Sequence, residues 1–257
     1  MSLLATDEPP PFSETRRHAR SNFIIVVDHA NARIPRRLAS LGLPPAELQR
    51  HIAWDIGALE VAALVAANLD ATLVAQNYSR LVIDCNRDPE VPSSIPSLSE
   101  NSEIPGNCGL GEADVAARRN EIFWPYHNHI RTLIDERLAA GRPCILVAQH
   151  TMTDVYKGVH RPMHAAVLYN RDRRFAGWVL DALRRERELT VADNEPYFVS
   201  DATDYTIPIH AEARGLPHVE IEIRQDLVGD ATGQARWAER ITRALREAED
   251  QMNTAPK

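Results

Sequence analysis

The chain has 257 residues, 44% of them apolar and 25% charged, enough for one large α/β domain or two small ones around a sizeable core. Its formal net charge of −7 excludes non-specific nucleic-acid binding, which needs a basic surface, although a pocket can be locally positive on an acidic protein. Cys85, Cys108 and Cys144 have no C-x-x-C spacing and fit a reducing cytoplasm rather than a disulfide framework, and no run approaches the roughly 18 apolar residues of a membrane span.

Residues 1–20 hold Pro9-Pro10-Pro11 and charges without an apolar signal core, which predicts a loosely held arm. Phe23-Ile24-Ile25-Val26-Val27 is a β-branched run of the kind buried on both faces of a parallel sheet. It stops at Asp28-His29, at the carboxyl end of a strand, where open α/β sheets bind ligands. A loop and the turn Gly42–Pro45 lead to a short helix at Ala46–Leu48 and an alanine-rich helix from about Ile56 to Asn68. Strands are expected at Ala71–Ala75 and Leu81–Asp84, the second running into Cys85-Asn86-Arg87. Asp88–Gly109 is rich in Pro and Ser and reads as a covering loop near the site.

A helical segment follows from Glu112 to Ala140, divided or kinked at Pro125 and capped by Gly141. The apolar run Cys144–Ala148 ends two residues before His150. Ala165–Asn170 reads as a strand, Phe175–Glu186 as a helix, Asp193–Tyr197 as a loop and Pro208–Arg214 as a short helix. Val219–Arg224 is a strand that carries acids, and the last helix spans Thr232–Glu249, with Trp237, Ile241 and Leu245 four residues apart. Asn253–Lys257 is expected to fray. Strands and helices alternate without a composition break or repeat, so residues 21–250 read as a single α/β domain.

His29, His150 and Glu222 suggest one metal-hydrolase site at one edge of the sheet. Glu220, Glu222 and Arg224 point to one side of their strand. An amphipathic edge strand accounts for that pattern without function. In a central strand, by contrast, a carboxylate must be paired, protonated or near a metal, and a hydrolase needs one as general base. Each histidine alone could be a hydrogen-bonded structural residue. A catalytic zinc takes three protein ligands and leaves one position open, and the third ligand here would be an acid. Asp55 is the leading candidate, although a helix N-cap is its alternative role; Asp28 and Glu60 are weaker ones. Arg80, Arg87, Arg161, Arg171 and Arg224 lie near strand ends or in polar loops, and Arg87, after Asn86, is the best two-pronged carboxylate clamp. The other histidines are not ranked by these arguments.

An ordered set of stretches resembles the N-formylglutamate amidohydrolase family. They include Val27–Asn31, His51–Ala58, Tyr78–Arg87, Ile104–Asn107, Arg161-Pro162 with His164, Leu168–Asn170, Asp193–Tyr197 and Ile221–Leu227. The resemblance implies a mainly parallel or mixed sheet flanked by helices, related to the zinc-dependent exopeptidases. It also implies His29 and His150 as the first and last zinc ligands, Glu222 as the general base, and Asn86-Arg87 as the pair that holds a substrate carboxylate. Two positions depart from the related patterns. Ala32 stands where the carboxypeptidases have a glutamate, so Asp55 is taken to supply the acid, and Thr151 replaces a Ser after the second histidine. The implied activity is zinc-dependent hydrolysis of a small anionic N-acyl amino acid, N-formyl-L-glutamate first, giving formate and glutamate. Arg87, with Arg80, Arg161 or Arg171, would hold the two carboxylates. The alternatives are a carboxypeptidase, another acyl-amino-acid deacylase, or a binding module without metal.

Overall fold

The computed structural model describes residues 2–255. Seven strands form one mixed sheet: β1 (Phe12–Thr15), β2 (Phe23–Val27), β3 (Thr72–Gln76), β4 (Ile145–Met152), β5 (Ala165–Leu168), β6 (Val191–Asp193) and β7 (His218–Arg224). Their spatial order is β1-β3-β2-β4-β7-β5-β6. The four strands β3, β2, β4 and β7 run parallel, whereas β1 and β5 oppose their neighbours and β6 follows β5. Every residue of β2, β3 and β4 is buried, as β-branched runs covered on both faces require.

The helices are α1 (Ala58–Leu69), α2 (Glu112–Arg118), α3 (Trp124–Ala139), α4 (Arg174–Arg184) and α5 (Ala231–Thr254). Strand alternation divides the core into two layers. On one face Phe23, Ile25, Val147 and Ile221 meet Val61 of α1, Leu180 of α4 and the buried Trp237, Ile241 and Leu245 of α5. Burial of each such side chain stabilises the fold by about 1.5–3 kcal/mol. On the other face Ile24, Val26 and Leu146 meet Tyr126, Ile130 and Ile134 of α3. Glu220 and Glu222 point to this second face, opposite Ala148 and His150 in register. Among the described residues no helix is long and apolar enough to cross a membrane.

Several expected elements differ. Leu81–Asp84 is a turn followed by irregular chain rather than a strand, although it is wholly buried. Its carbonyls are satisfied by side chains instead of a ladder: Asn107 Nδ2 donates to Leu81 O at 2.8 Å and Arg118 Nη1 to Val82 O at 3.0 Å. Apolarity there signalled burial, which strand and buried coil share. The expected loose arm is docked: β1 pairs with β3, Leu3 is buried, and the Glu121 carboxylate accepts the Leu3 and Leu4 amides at 2.7 and 2.9 Å. At the other end α5 continues through Thr254, and residues 256 and 257 lie outside the described residues. The long helical segment divides at Pro125 as expected. A π-helical turn over Arg119–Phe123 precedes α3, so the proline sits in its first turn, where no amide donor is required.

Candidate active site

The carboxyl ends of β2, β4 and β7 open into a cleft of about 500 Å³, with His29, Asp55, Asp84, His150, Glu220 and Glu222 in its wall. β4 is longer than its apolar run, so His150 stands within the strand, directly opposite Glu222. His29 follows β2 by two residues, and its carbonyl accepts the Asp55 amide at 2.9 Å. Asp55 does not cap α1, which begins without a side-chain cap. Its Oδ2 faces His150 Nδ1 at 2.8 Å and His29 Nδ1 at 3.3 Å instead.

Gly57 makes this placement possible. Its φ of +81° turns the chain from the Asp55 loop into α1, and a Cβ there would lie 2.5 Å from the Val228 carbonyl oxygen, in the segment that leaves β7. Gly57→Ala is expected to destabilise the protein by at least about 2 kcal/mol, lowering the melting temperature by about 4–8 °C. A melting curve matching the parent would refute this close-packing account.

Each imidazole has a carboxylate on both sides. His29 Nε2 meets Asp84 Oδ1 at 2.7 Å, and Arg80 Nη2 holds the other Asp84 oxygen at 2.8 Å. His150 Nε2 lies 3.3 Å from Asp28 Oδ2, an ion pair without hydrogen-bond alignment. Asp28 Oδ1 in turn accepts from the Tyr126 and Thr206 hydroxyls, both at 2.8 Å. Burial opposes charge on both rings, but the carboxylates outweigh it: Glu220, Asp28 and Asp55 raise His150 well above its ordinary pKa, and Asp84 and Asp55 raise His29 despite Arg80. Burial likewise raises Asp84, yet Arg80 and His29 hold it well below the usual carboxylate range. Burial pushes Glu220 well up, and lifts Glu222 to about 7 with help from Asp55 and against His150.

This donor set fits a divalent metal. One atom each from His29, Asp55 and His150 lie within 4.8 Å of one another, all buried. Ligand atoms around a tetrahedral zinc with bonds of about 2.0 Å are separated by roughly 3.3 Å, close to the spacing of the two Nδ1 atoms from Asp55 Oδ2. Each outer nitrogen faces a carboxylate, the arrangement that orients metal-ligating histidines. Asp28, Asp55 and Asp84 together need three positive charges; Arg80 supplies one, and a dication would supply the other two in place of two imidazole protons.

The remaining sequence candidates disperse. Arg80 and Arg87 line the cleft. Asn86 does too, but its amide is engaged: Oδ1 accepts the Tyr205 and Thr206 amides and Nδ2 donates to Asp204, so it fastens the 204–206 segment. Arg161 lies behind the cleft wall, between the Tyr156 and Tyr197 rings. Arg171 is exposed in a separate depression, paired with Asp201 and Glu212, and Arg224 pairs with Asp226 and the Arg161 carbonyl; neither lines the cleft. Being near a strand end was too coarse a criterion for either. Glu60 is exposed on α1. Asp84 was missed as a site residue; its spacing of four from Arg80 was the available signal. The alternation that marked Glu222 also marks Glu220. Leu98, Tyr156, Tyr197 and Phe198 complete the cleft mouth; Leu98 comes from the expected covering loop, whereas Tyr156 and Phe198 carry no sequence signal.

A family model described as N-formylglutamate amidohydrolase matches residues 21–229. The crystal structure of a gene product from Agrobacterium tumefaciens is 38% identical, with a TM-score of 0.95 over 98% of this chain and 99% of that one. The N-formylglutamate amidohydrolase from Ralstonia eutropha shares the fold at 22% identity, with a TM-score of 0.64 over 96% of this chain and all of that one. No curated protein matches the chain. With a mixed α/β sheet and an acid–histidine cleft at its carboxyl edge, the protein is a hydrolase of amide C–N bonds. It belongs to the N-formylglutamate amidohydrolase family.

Proposed function

We propose that the protein hydrolyses the amide of an N-acyl amino acid, with N-formyl-L-glutamate the first compound to try, using a zinc ion held by His29, Asp55 and His150. The convergence of those three side chains opposite Glu222 in one cleft carries the reading. Zinc bound there would supply a Lewis acid and lower the pKa of water toward about 7. Asp84 and Asp28 hold the far sides of the two imidazoles, so each ring presents Nδ1 inward. Glu222 Oε2 is buried without a hydrogen-bond partner. It takes the proton as water adds to the amide carbonyl, then returns it to the nitrogen as the C–N bond breaks; the second water proton leaves the new carboxyl group for the amine, giving a carboxylate and an ammonium. Among the described residues Arg87 Nη1 donates only to the Thr203 carbonyl, which leaves its guanidinium open to a substrate carboxylate. Unpaired Cys85, Cys108 and Cys144 support a reducing cytoplasm as the setting.

Formate release from N-formyl-L-glutamate and other N-formyl amino acids is measured on the purified protein, after chelation, and after zinc is restored. Release that chelation abolishes and zinc restores is the expected result. Release that survives complete chelation would remove the metal from the reading.

A further inference from the structure

We propose that the cleft is built for an N-acyl amino acid with one carboxylate and one apolar group, rather than for a dicarboxylate; this rests on the deacylase reading above. Among the described residues nine large apolar side chains are exposed, and six of them, Leu98, Val155, Tyr156, Val159, Tyr197 and Phe198, fall on three short segments that rim this mouth. Leu98 and Phe198 are 59% and 65% exposed, yet both line the cleft. Exposed apolar residues scattered singly need no explanation, but four that line one cleft mouth, Leu98, Tyr156, Tyr197 and Phe198, mark something it binds.

The rim is held together. The Lys157 amide donates to Glu100 Oε1 at 3.2 Å, tying the hairpin over 155–160 to the one over 98–103. The buried Arg161 guanidinium sits 5.1 Å from the Tyr156 ring and 4.8 Å from the Tyr197 ring, joining that hairpin to the loop that carries Phe198. Cation–π contacts of this kind fix ring orientation.

Charge in the cleft points the same way. Arg80 is committed to Asp84 at 2.8 Å and to Asp55 at 3.5 Å, and His51 faces Glu100 at 3.3 Å. Arg87 is the one lining guanidinium with no carboxylate within ion-pair distance among the described residues, so a single carboxylate is matched. A second would meet Glu100 and Asp204 in the same wall, and like charges disfavour it.

The test compares kcat/KM of the zinc-loaded full chain for N-formyl-L-glutamate, N-formyl-L-phenylalanine and N-hexanoylglycine, the last two carrying the apolar group on opposite sides of the amide. At least one of them should exceed N-formyl-L-glutamate by about tenfold or more, the usual discrimination from an apolar contact. The double variant Leu98→Ser/Phe198→Ser, at exposed positions with an unchanged melting temperature, should shrink that ratio by at least about fivefold, mainly through KM. Preference for N-formyl-L-glutamate, or a ratio that the double variant leaves unmoved, would overturn the inference while the deacylase reading stands. Turnover of none of the three would overturn both.

Discussion

Glu222→Gln is expected to lower kcat for amide hydrolysis by about a hundred- to ten-thousand-fold, the usual contribution of a positioned acid–base group, while zinc content and melting temperature stay near parent values. The substitution keeps shape and removes only the capacity to carry the proton. Glu222 sits opposite His150 in a parallel ladder, so its backbone is fixed by pairing on both sides, with β4 and with β5. Burial that lifts its carboxyl to about 7 brings it into the range where a base can both accept and return a proton. Single-turnover kinetics with a metal assay on the same sample make the measurement. Parent-like turnover in a metal-loaded variant would move the base elsewhere, and Glu220, two residues back on the same side, would be the next to test.

Asp55→Asn has the opposite signature. Among the described residues its carboxylate is the one group hydrogen-bonded to both histidines, and removing its charge leaves His29 and His150 without their shared partner. Zinc bound per chain should fall from near one to a small fraction, and activity with it. The melting temperature should fall as well, because unbalanced buried charge costs about 3–5 kcal/mol. Zinc titration by calorimetry separates the two variants: Glu222→Gln binds metal without turnover, whereas Asp55→Asn loses both. Undiminished affinity in Asp55→Asn would exclude Asp55 as a ligand.

Periodic or strongly apolar segments were legible from the sequence. The β-branched strands, the alternating acids of β7 and the four-residue spacing of α5 each follow from one local rule, and the structure has them where expected. Leu81–Ile83 was misread because buried coil and buried strand have the same composition, and the side chains that satisfy its carbonyls, Asn107 and Arg118, come from elsewhere in the chain. Phe12–Thr15 was missed because a partly exposed edge strand after three prolines lacks apolar alternation. The convergence of His29, Asp55 and His150 was legible because few residue types can ligate a metal. Arg80 and Arg87 line the cleft as expected, but Arg161, Arg171 and Arg224 do not, since an arginine's role depends on which carboxylate it faces, and sequence proximity does not record that. Of the rim around Phe198 only the covering loop that holds Leu98 was legible, because its three distant segments meet only in the fold.

The strand order has a consequence for how the molecule comes into being. β7 is the last strand in the chain, yet it lies between β4 and β5, which precede it by dozens of residues. A growing chain can therefore assemble helices and the pairs around β2 early, but the middle of its sheet stays open until the final strand arrives and inserts. That strand also carries Glu222. Completion of the fold and arrival of the Glu222 carboxylate opposite His150 are thus one event during biosynthesis, and a chain interrupted before residue 218 has neither a continuous sheet nor that carboxylate in the cleft.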